Sequence, residues 1–525
     1  MSVVKTNSQA IIQAAHDLNY WGKKLLDKKR LCAGKIADQF TNGQHVSEIM
    51  DLLAAHQPTK ATKAKEEKAP IEPVFSHSAH SYDQADRLVT GGQPVIIYAV
   101  QNNATICEPV QAVIDLVAHE LDAITLPCRI GYIVDKDQDH LDHVAANVQT
   151  APLWIDDYLV MAGEVIPTAK KPINHAKLVA NGRKLTILPH VKQQAESLPK
   201  AKGSPEVWAV TTGAVTLPRY RQGRAGAEGH TDHCLGFTIV YPNGSFKQIQ
   251  LDENGIGYHA GILFSPVGIT DFAGGIVTLG DIHAEKIDPD FLAVTCAWLR
   301  DVAQPEAIVI EDLHDFTSRN HHNRHSGIFL AGQGDRTISD DLADALDVLD
   351  QIQAACPESM IYIVNSNHDR ALDTWLDDPS VDPRKDPKNL PLWCDLQKAR
   401  FLSAMGGEPL GVTLESALSA IEGDLNWSKI EFLREDQSLK FYGVEFGQHG
   451  DRGVNGAKGG PTAFEKLGSP YVIGHTHSGY KNGRRVAVAG VTGSLDMGYN
   501  KGASSWSQSH VFTGPDGIPQ IVMGL

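Results

Sequence analysis

The 525-residue chain has no apolar run approaching the roughly 18 residues of a membrane-spanning helix, which predicts no membrane partner. Its first residues, Met1-Ser-Val-Val-Lys-Thr-Asn, lack the apolar stretch and small-residue cleavage site of a secretory signal. Paired cysteines are missing as well. The seven, Cys32, Cys107, Cys128, Cys234, Cys296, Cys356 and Cys394, are scattered and form no C-x-x-C, which argues against a disulfide framework and against a zinc ribbon. These absences together predict a soluble protein of a reducing cytoplasm. A net positive charge is also lacking. The balance is −16, and residues 1–70, with 11 Lys+Arg against 7 Asp+Glu, are the basic exception. So acidic a body disfavours passive, charge-driven binding of nucleic acid. It does not exclude a nuclease, because bound divalent cations reverse the local sign at a site.

What is present is ordinary in bulk: 42% hydrophobic and 21% charged residues, enough for real cores, in a length that suggests two or three domains. Histidine is the informative residue, with 23 copies, several beside Asp or Asn.

Residues 1–56 read as a small helical unit, with amphipathic stretches at Gln9–Leu18, Lys23–Phe40 and Val46–His56. Such a unit could touch DNA as a helix-turn-helix does or serve as an oligomerisation or docking appendage; the second reading is favoured. Residues 57–72 form a charged, low-complexity linker too poor in large apolar residues to fold. Residues 73–268 read as a mixed α+β accessory domain. It should hold strands at Val95–Val100 and Arg129–Val134, a helix at Val110–Leu121, and a hairpin turn within Val240–Phe246. Within it lie Arg219, Arg221 and Arg224, followed by His230, His233 and Cys234. The arginines could grip phosphate and the His/Cys group could hold a metal, but a solvated loop is the preferred reading.

From residue 269 to 525 the rhythm becomes α/β: short apolar strands end abruptly in polar clusters, where such folds place their chemistry. Residues 275–280 run into Asp281 and His283, and 307–311 into Asp312, His314 and Asp315. Residues 360–366 run into Asn367, His368 and Asp369, 439–448 into His449, and 471–474 into His475 and His477. In an extended segment Asp281 and His283, two apart, point the same way and can share one metal, and His475 and His477 repeat that spacing. Mixed imidazole, carboxylate and amide ligands suit Mn, Fe, Zn or Ni better than Ca or Mg. Each piece alone is weak; five in order, each ending a strand, are not.

Gly280-Asp-Ile-His283, Asp312, Asn367-His-Asp369, His449 and Gly474-His-Thr-His477 together resemble the calcineurin-like metallophosphoesterases, over residues 270–525. The resemblance implies a four-layer α/β/β/α sandwich with two divalent cations, manganese foremost, at one edge. It assigns Asp281, His283, Asp312 and His477 to one cation and Asp312, Asn367, His449 and His475 to the other, with Asp312 as the bridge. In the same pattern His368 contacts the scissile phosphate and protonates the leaving oxygen, Asp369 orients His368, and a water or hydroxide bridging the cations attacks. Two positions depart from the family: Glu311 and Ser366 stand where glycine is usual.

The loop after Asp312, with Arg319, His321, His322, Arg324 and His325, and the Gly-rich segment with Arg452 and Lys458 are candidate substrate contacts. The latter is no Walker loop, since it lacks the G-K-[ST] ending. The architecture is similar to large phage-encoded metallophosphoesterases related to the Mre-eleven/SbcD nucleases. That likeness implies an oligomeric, manganese-dependent DNA phosphodiesterase acting in the host cytoplasm to degrade host DNA. A phosphomonoesterase or nucleotide phosphatase using the same centre, and a DNA-binding regulatory protein with a vestigial metal site, are the alternatives.

Overall fold

Alternate residues of the strands Ile276–Thr278 and Ala307–Ile310 face two different cores. Ile276, Ala307 and Val309 enter one, Val277, Ile308 and Ile310 the other, as the two-residue period of a strand buried on both faces requires. In the computed structural model, residues 10–11, 14, 33, 35–39, 41, 44–55, 82, 85–131, 148–163, 165–320, 326–332, 334–406, 412–421 and 423–525 are described.

The two strands lie in a six-stranded sheet ordered Ile430–Phe432, Met360–Ile363, Ala307–Ile310, Ile276–Thr278, His510–Thr513, Pro519–Val522. Its first four strands are parallel, and the last two are antiparallel additions. The helices Pro289–Trp298, Ile338–Ala355, Ala371–Asp377 and Thr413–Leu418 cover one face, with Leu292, Leu342, Leu349, Trp375 and Leu414 against Val277, Ile308 and Ile361. Each such buried aliphatic side chain contributes roughly 1.5–3 kcal/mol. The longest of these helices starts at a capping box, in which Thr337 Oγ1 accepts from the Asp340 amide at 3.2 Å and Asp340 Oδ2 accepts from the Thr337 amide at 2.7 Å.

The opposite face packs on a second, eleven-stranded sheet. Ile276, Val309 and Val364 meet Val210, Val444, Val472 and Ala487 there. Regions expected as separate domains contribute jointly to this sheet. Gln194–Ser197 pairs antiparallel with Tyr480–Asn482, next to Val486–Val488 and then Tyr471–Ile473. Residues 77–525 accordingly form one compact unit. On the outer face of this sheet, Ile173 and Ala176 of one short helix cover Leu159 and Leu188, and Phe464 of another covers Ile473 and Val488. A four-stranded sheet containing Val95–Gln101 carries the helix Glu108–Leu121. Its hairpin pairs Val240 with Phe246, at the turn the sequence marks. The edge strand paired with Val95–Gln101 runs Ile124–Ile130, earlier than the expected Arg129–Val134, whose last residues lie outside the described ones.

The remaining unit, residues 1–76, shows a helix at Val46–Ala55 and a buried cluster of Ile11, Ala33, Ile36, Ala37, Ile49 and Leu53. The expected helices Gln9–Leu18 and Lys23–Phe40 lie largely, and the linker 57–72 wholly, outside the described residues. Among the described residues no helix is long and apolar enough to cross a membrane, and the six described cysteines are free.

Candidate metal centre

The polar clusters at the five strand ends converge on one edge of the two sheets. The backbone there is tightly turned: His283, Asp312, His475 and His477 all adopt left-handed conformations, with φ of 49°, 42°, 71° and 54°. Non-glycine residues are held in that region only at a cost of about 1–3 kcal/mol each, and such strain clusters at functional sites. Of the five expected strands, four are single; residues 439–448 instead form a two-strand hairpin, Lys440–Phe441 and Val444–Glu445. Its turn holds Tyr442 at φ 52° and Gly443 at φ 79°. His449 still follows directly beyond it.

Asp281, His283, Asp312 and His477 are all buried, and each offers one ligand atom within 4.8 Å of the others. His477 Nε2 lies 3.0 Å from both Asp281 Oδ2 and His283 Nε2. Beside this group, Asn367 Oδ1 is 2.9 Å from His449 Nε2 and 3.0 Å from His475 Nδ1. Asp312 stands between the two groups, its Oδ2 being 3.7 Å from His283 Nε2 and 3.2 Å from His449 Nε2. All seven residues expected as ligands are thus brought together.

Both carboxylate oxygens of Asp281 and Oδ2 of Asp312 are buried without a hydrogen bond. Buried carboxylates are ordinarily paired or bound to a metal. Two imidazole nitrogens 3.0 Å apart, facing carboxylates, need a proton or a cation between them. The donor set therefore fits a metal ion, and these buried His and Asp residues could hold one.

Charge and burial compete strongly here. Burial pushes the Asp312 carboxyl up, but His449, His368 and His283 hold it well below the usual range. Burial lowers His449, yet Asp312 and Glu311 raise it well above an ordinary histidine. His283 is raised to about 9 because Asp315, Asp312 and Asp281 overcome its burial. Burial dominates at Glu311 and takes it to about 8 despite its hydrogen bond to His449.

Around this core the structure adds residues the sequence reading had not assigned roles. Asp315 Oδ1 lies 3.3 Å from His283 Nδ1 and 3.4 Å from His368 Nδ1. Asp369, expected to orient His368, has its carboxylate against other groups. His314 Nδ1 lies at 3.0 Å from it, and Ser366 Oγ donates to it at 2.6 Å. The His368 amide donates to Asp312 Oδ1 at 3.1 Å. Tyr499 stacks over His368 with ring centres 6.2 Å apart, and Trp506 meets His477 edge-on at 4.2 Å. The three-residue spacing of Asp312 and Asp315 was the available signal for Asp315. Nothing in the sequence pointed to the two aromatics, some 130 and 30 residues from the histidines they touch.

The expected substrate contacts fare differently. Arg319 is committed to a two-pronged pair with Asp386 at 2.7 and 2.9 Å. His321, His322, Arg324 and His325 lie outside the described residues. Arg452 and Lys458 are exposed, and Arg452 pairs with Glu435. A cavity of about 720 Å³ opens beside Asn365 and Arg370, lined by Arg400, Arg434 and Arg452 and equally by Asp373, Asp377, Asp378 and Glu435. Farther back in the chain, the stretch read as a solvated loop contains the helix Arg224–Thr231, where Arg224 pairs with Glu228 at 2.8 Å. Both His233 ring nitrogens are engaged, with the Tyr220 hydroxyl and the Thr216 carbonyl, each at 2.7 Å, which removes it as a metal ligand with His230 and Cys234.

No protein-family model and no solved structure matches the chain. Its sequence is 33% identical to Protein A1 of Escherichia phage T5 over 557 aligned positions, spanning 99% of this chain and 98% of that protein. Similarity of that degree over both full lengths places the chain in the family of the phage protein A1.

Proposed function

We propose that the protein is a calcineurin-like metallophosphoesterase that hydrolyses DNA phosphodiester bonds. The observation that carries this reading is Asp312, set between the group of Asp281, His283 and His477 and the group of Asn367, His449 and His475. One cation would be held by the first group with Asp312, the other by the second group with Asp312. The helices outside each of the two packed sheets support the α/β/β/α order of layers. Divalent cations held there, manganese being the expected ion, would supply Lewis-acid activation of the phosphate and of water.

The chain's own residues do the rest. His368 stands beside Asp312, its amide donating to Asp312 Oδ1 at 3.1 Å and its Nδ1 facing the Asp315 carbonyl at 3.3 Å, and this ring is the proton donor to the leaving oxygen in our reading. The orienting role falls to Asp315. Burial holds His368 below the usual histidine range against the pull of Asp312 and Asp315. The negative charge of an incoming phosphodiester would add to that pull and favour the protonated ring. The exposed Tyr499 and partly exposed Trp506 offer faces for bases.

The test is cleavage of supercoiled plasmid and of linear duplex, with Mn²⁺ or EDTA, by wild type and Asp312→Asn. Cation-dependent cleavage lost in the variant is expected. If the wild type spares both DNAs but hydrolyses p-nitrophenyl phosphate and not its bis-ester, the protein is a phosphomonoesterase instead.

A further inference from the structure

Glu311 is fully buried, as is the His449 ring, and its Oε2 lies 2.7 Å from His449 Nδ1. With a cation in place of a proton at Nε2, the Glu311 carboxylate accepts a hydrogen bond from Nδ1–H and the Nε2 lone pair is the one that ligates. That lone pair faces Asn367 Oδ1 at 2.9 Å and Asp312 Oδ2 at 3.2 Å. Three acceptor atoms thus converge with no donor among them, the arrangement a cation would satisfy.

A looser counterpart stands on the other side of Asp312. Asp315 Oδ1 stands 3.3 Å from His283 Nδ1, so His283 Nε2 is turned to Asp312 and His477. The two halves of the centre each have one histidine backed by a buried carboxylate. Successive residues of an extended strand point to opposite sides. Glu311 and Asp312 nevertheless both reach the centre, because the chain leaves the strand Ala307–Ile310 just before them and turns left-handed at Asp312. The packing around Glu311 is tight: a β-carbon on Gly474 would lie 3.1 Å from Glu311 Cβ. A buried carboxylate is expensive to desolvate, and here Oε1 is left without a hydrogen bond, so stability alone does not account for an acid at this position.

We propose that Glu311 is a positioning residue. It fixes the ring of His449 and adds negative charge behind it, so that the Asn367, His449 and His475 half retains its cation as firmly as the Asp281, His283 and His477 half. This rests on the metal-centre reading but not on DNA as the substrate. Carboxylates behind metal-bound histidines typically change metal affinity 10–100-fold, by fixing the tautomer and raising the ring's basicity.

The experiment is equilibrium dialysis of the full chain against graded Mn²⁺, with metal per chain by mass spectrometry and Mn²⁺ coupling by EPR. It is run on wild type, Glu311→Gln, Glu311→Ala and Asp315→Asn. Wild type should bind two ions per chain and give the signal of a magnetically interacting pair. Glu311→Ala should weaken one binding step about 10–100-fold, leave the other unchanged and lose the pair signal at limiting metal. Glu311→Gln, which keeps the shape, should fall between the two, and Asp315→Asn should weaken the opposite step. Both steps unchanged, or both weakened alike, in a Glu311→Gln protein with an unaltered melting curve would overturn the proposal. Fewer than two ions on wild type would overturn the two-cation reading itself, and is visible before any variant is compared.

Discussion

The backbone of Gly474 passes so close to Asp281 that a β-carbon there would sit 2.2 Å from Oδ1 of the carboxylate. The glycine that opens the Gly474-His-Thr-His477 loop is thus demanded by a carboxylate nearly 200 positions earlier. Its backbone φ is not the reason, since Gly474 is not among the positive-φ glycines.

Gly474→Ala should therefore displace the Asp281 carboxylate. We expect a stability loss of about 1–3 kcal/mol, the usual cost of overpacking, in urea denaturation. The loss should come with weaker binding of one Mn²⁺ ion in equilibrium dialysis. Normal binding of both ions would show that the loop can shift without moving Asp281.

Metal should stabilise the fold strongly. Asp281, Glu311, Asp312 and Asp315 are crowded into one buried region in which both Asp281 oxygens, Glu311 Oε1 and Asp312 Oδ2 lack hydrogen bonds. A cation at a hundredfold excess over its dissociation constant adds about 2.7 kcal/mol if it binds only the folded state. Denaturation with Mn²⁺ and with EDTA should differ by at least that amount, and Asp312→Asn should remove most of the difference. Superimposable curves for wild type would count against the centre.

Acid should unfold the protein through histidines that take no part in the centre. Burial lowers His190, His259 and His510 to about 3. His510 lies between Phe291 and Trp298 with ring centres 5.1 and 6.0 Å away. It accepts from the Gly280 amide at 3.0 Å and meets the Thr295 hydroxyl at 2.9 Å. The folded value lies below the unfolded value of about 6.5, so the unfolded chain takes up the proton first as pH falls. The stability these rings support is fully present above about pH 6.5 and is lost progressively toward pH 3, by up to roughly 1.4 kcal/mol per pH unit per histidine. Denaturation midpoints between pH 7 and 4 measure the slope. His510→Asn should flatten it by about one proton.

A chain cut at residue 269 should not fold by itself. It would leave Tyr480–Asn482 without its partner Gln194–Ser197 and expose the side chains of Val444, Val472 and Ala487 that Val210 and Leu185 help to bury. Size-exclusion and circular dichroism of residues 269–525 should show aggregation or loss of ordered signal, whereas residues 77–525 should behave as a folded unit. A monomeric, cooperatively melting 269–525 fragment would contradict this.

How much of this was legible in the sequence depends on the range of the interaction. The ends of the strands could be read because local patterning announces them: an apolar run such as Ala307–Ile310 followed at once by Glu311 and Asp312. The hairpin at Val240–Phe246 was visible for the same reason. The break at Tyr442 and Gly443 was missed because the apolar pattern runs through it. The role of Asp369 was misjudged because the competing partner, His314, becomes its neighbour only through tertiary folding. Glu311 could be seen as a departure from a pattern, but its purpose depends on His449, 138 residues away. The sheet shared by residues 194–197 and 480–482 has no local signature at all.

That shared sheet also sets the order in which the centre can come into being. The strand Tyr471–Ile473, which leads into His475 and His477, neighbours Val486–Val488, and that strand neighbours Tyr480–Asn482, whose other edge belongs to Gln194–Ser197. Gln194 donates to Asn482 Oδ1 at 2.8 Å across 288 residues of chain. Closing such a loop is slow, because its entropy is lost before its contacts form. On a ribosome, Asp281, Asp312 and Asn367 emerge well before His449, His475 and His477, which complete the set. A growing polypeptide therefore carries nearly all the acidic groups of the centre with no cage to hold a cation. Competence arrives late and at once, when the last hundred residues join strands that have been waiting since the first two hundred.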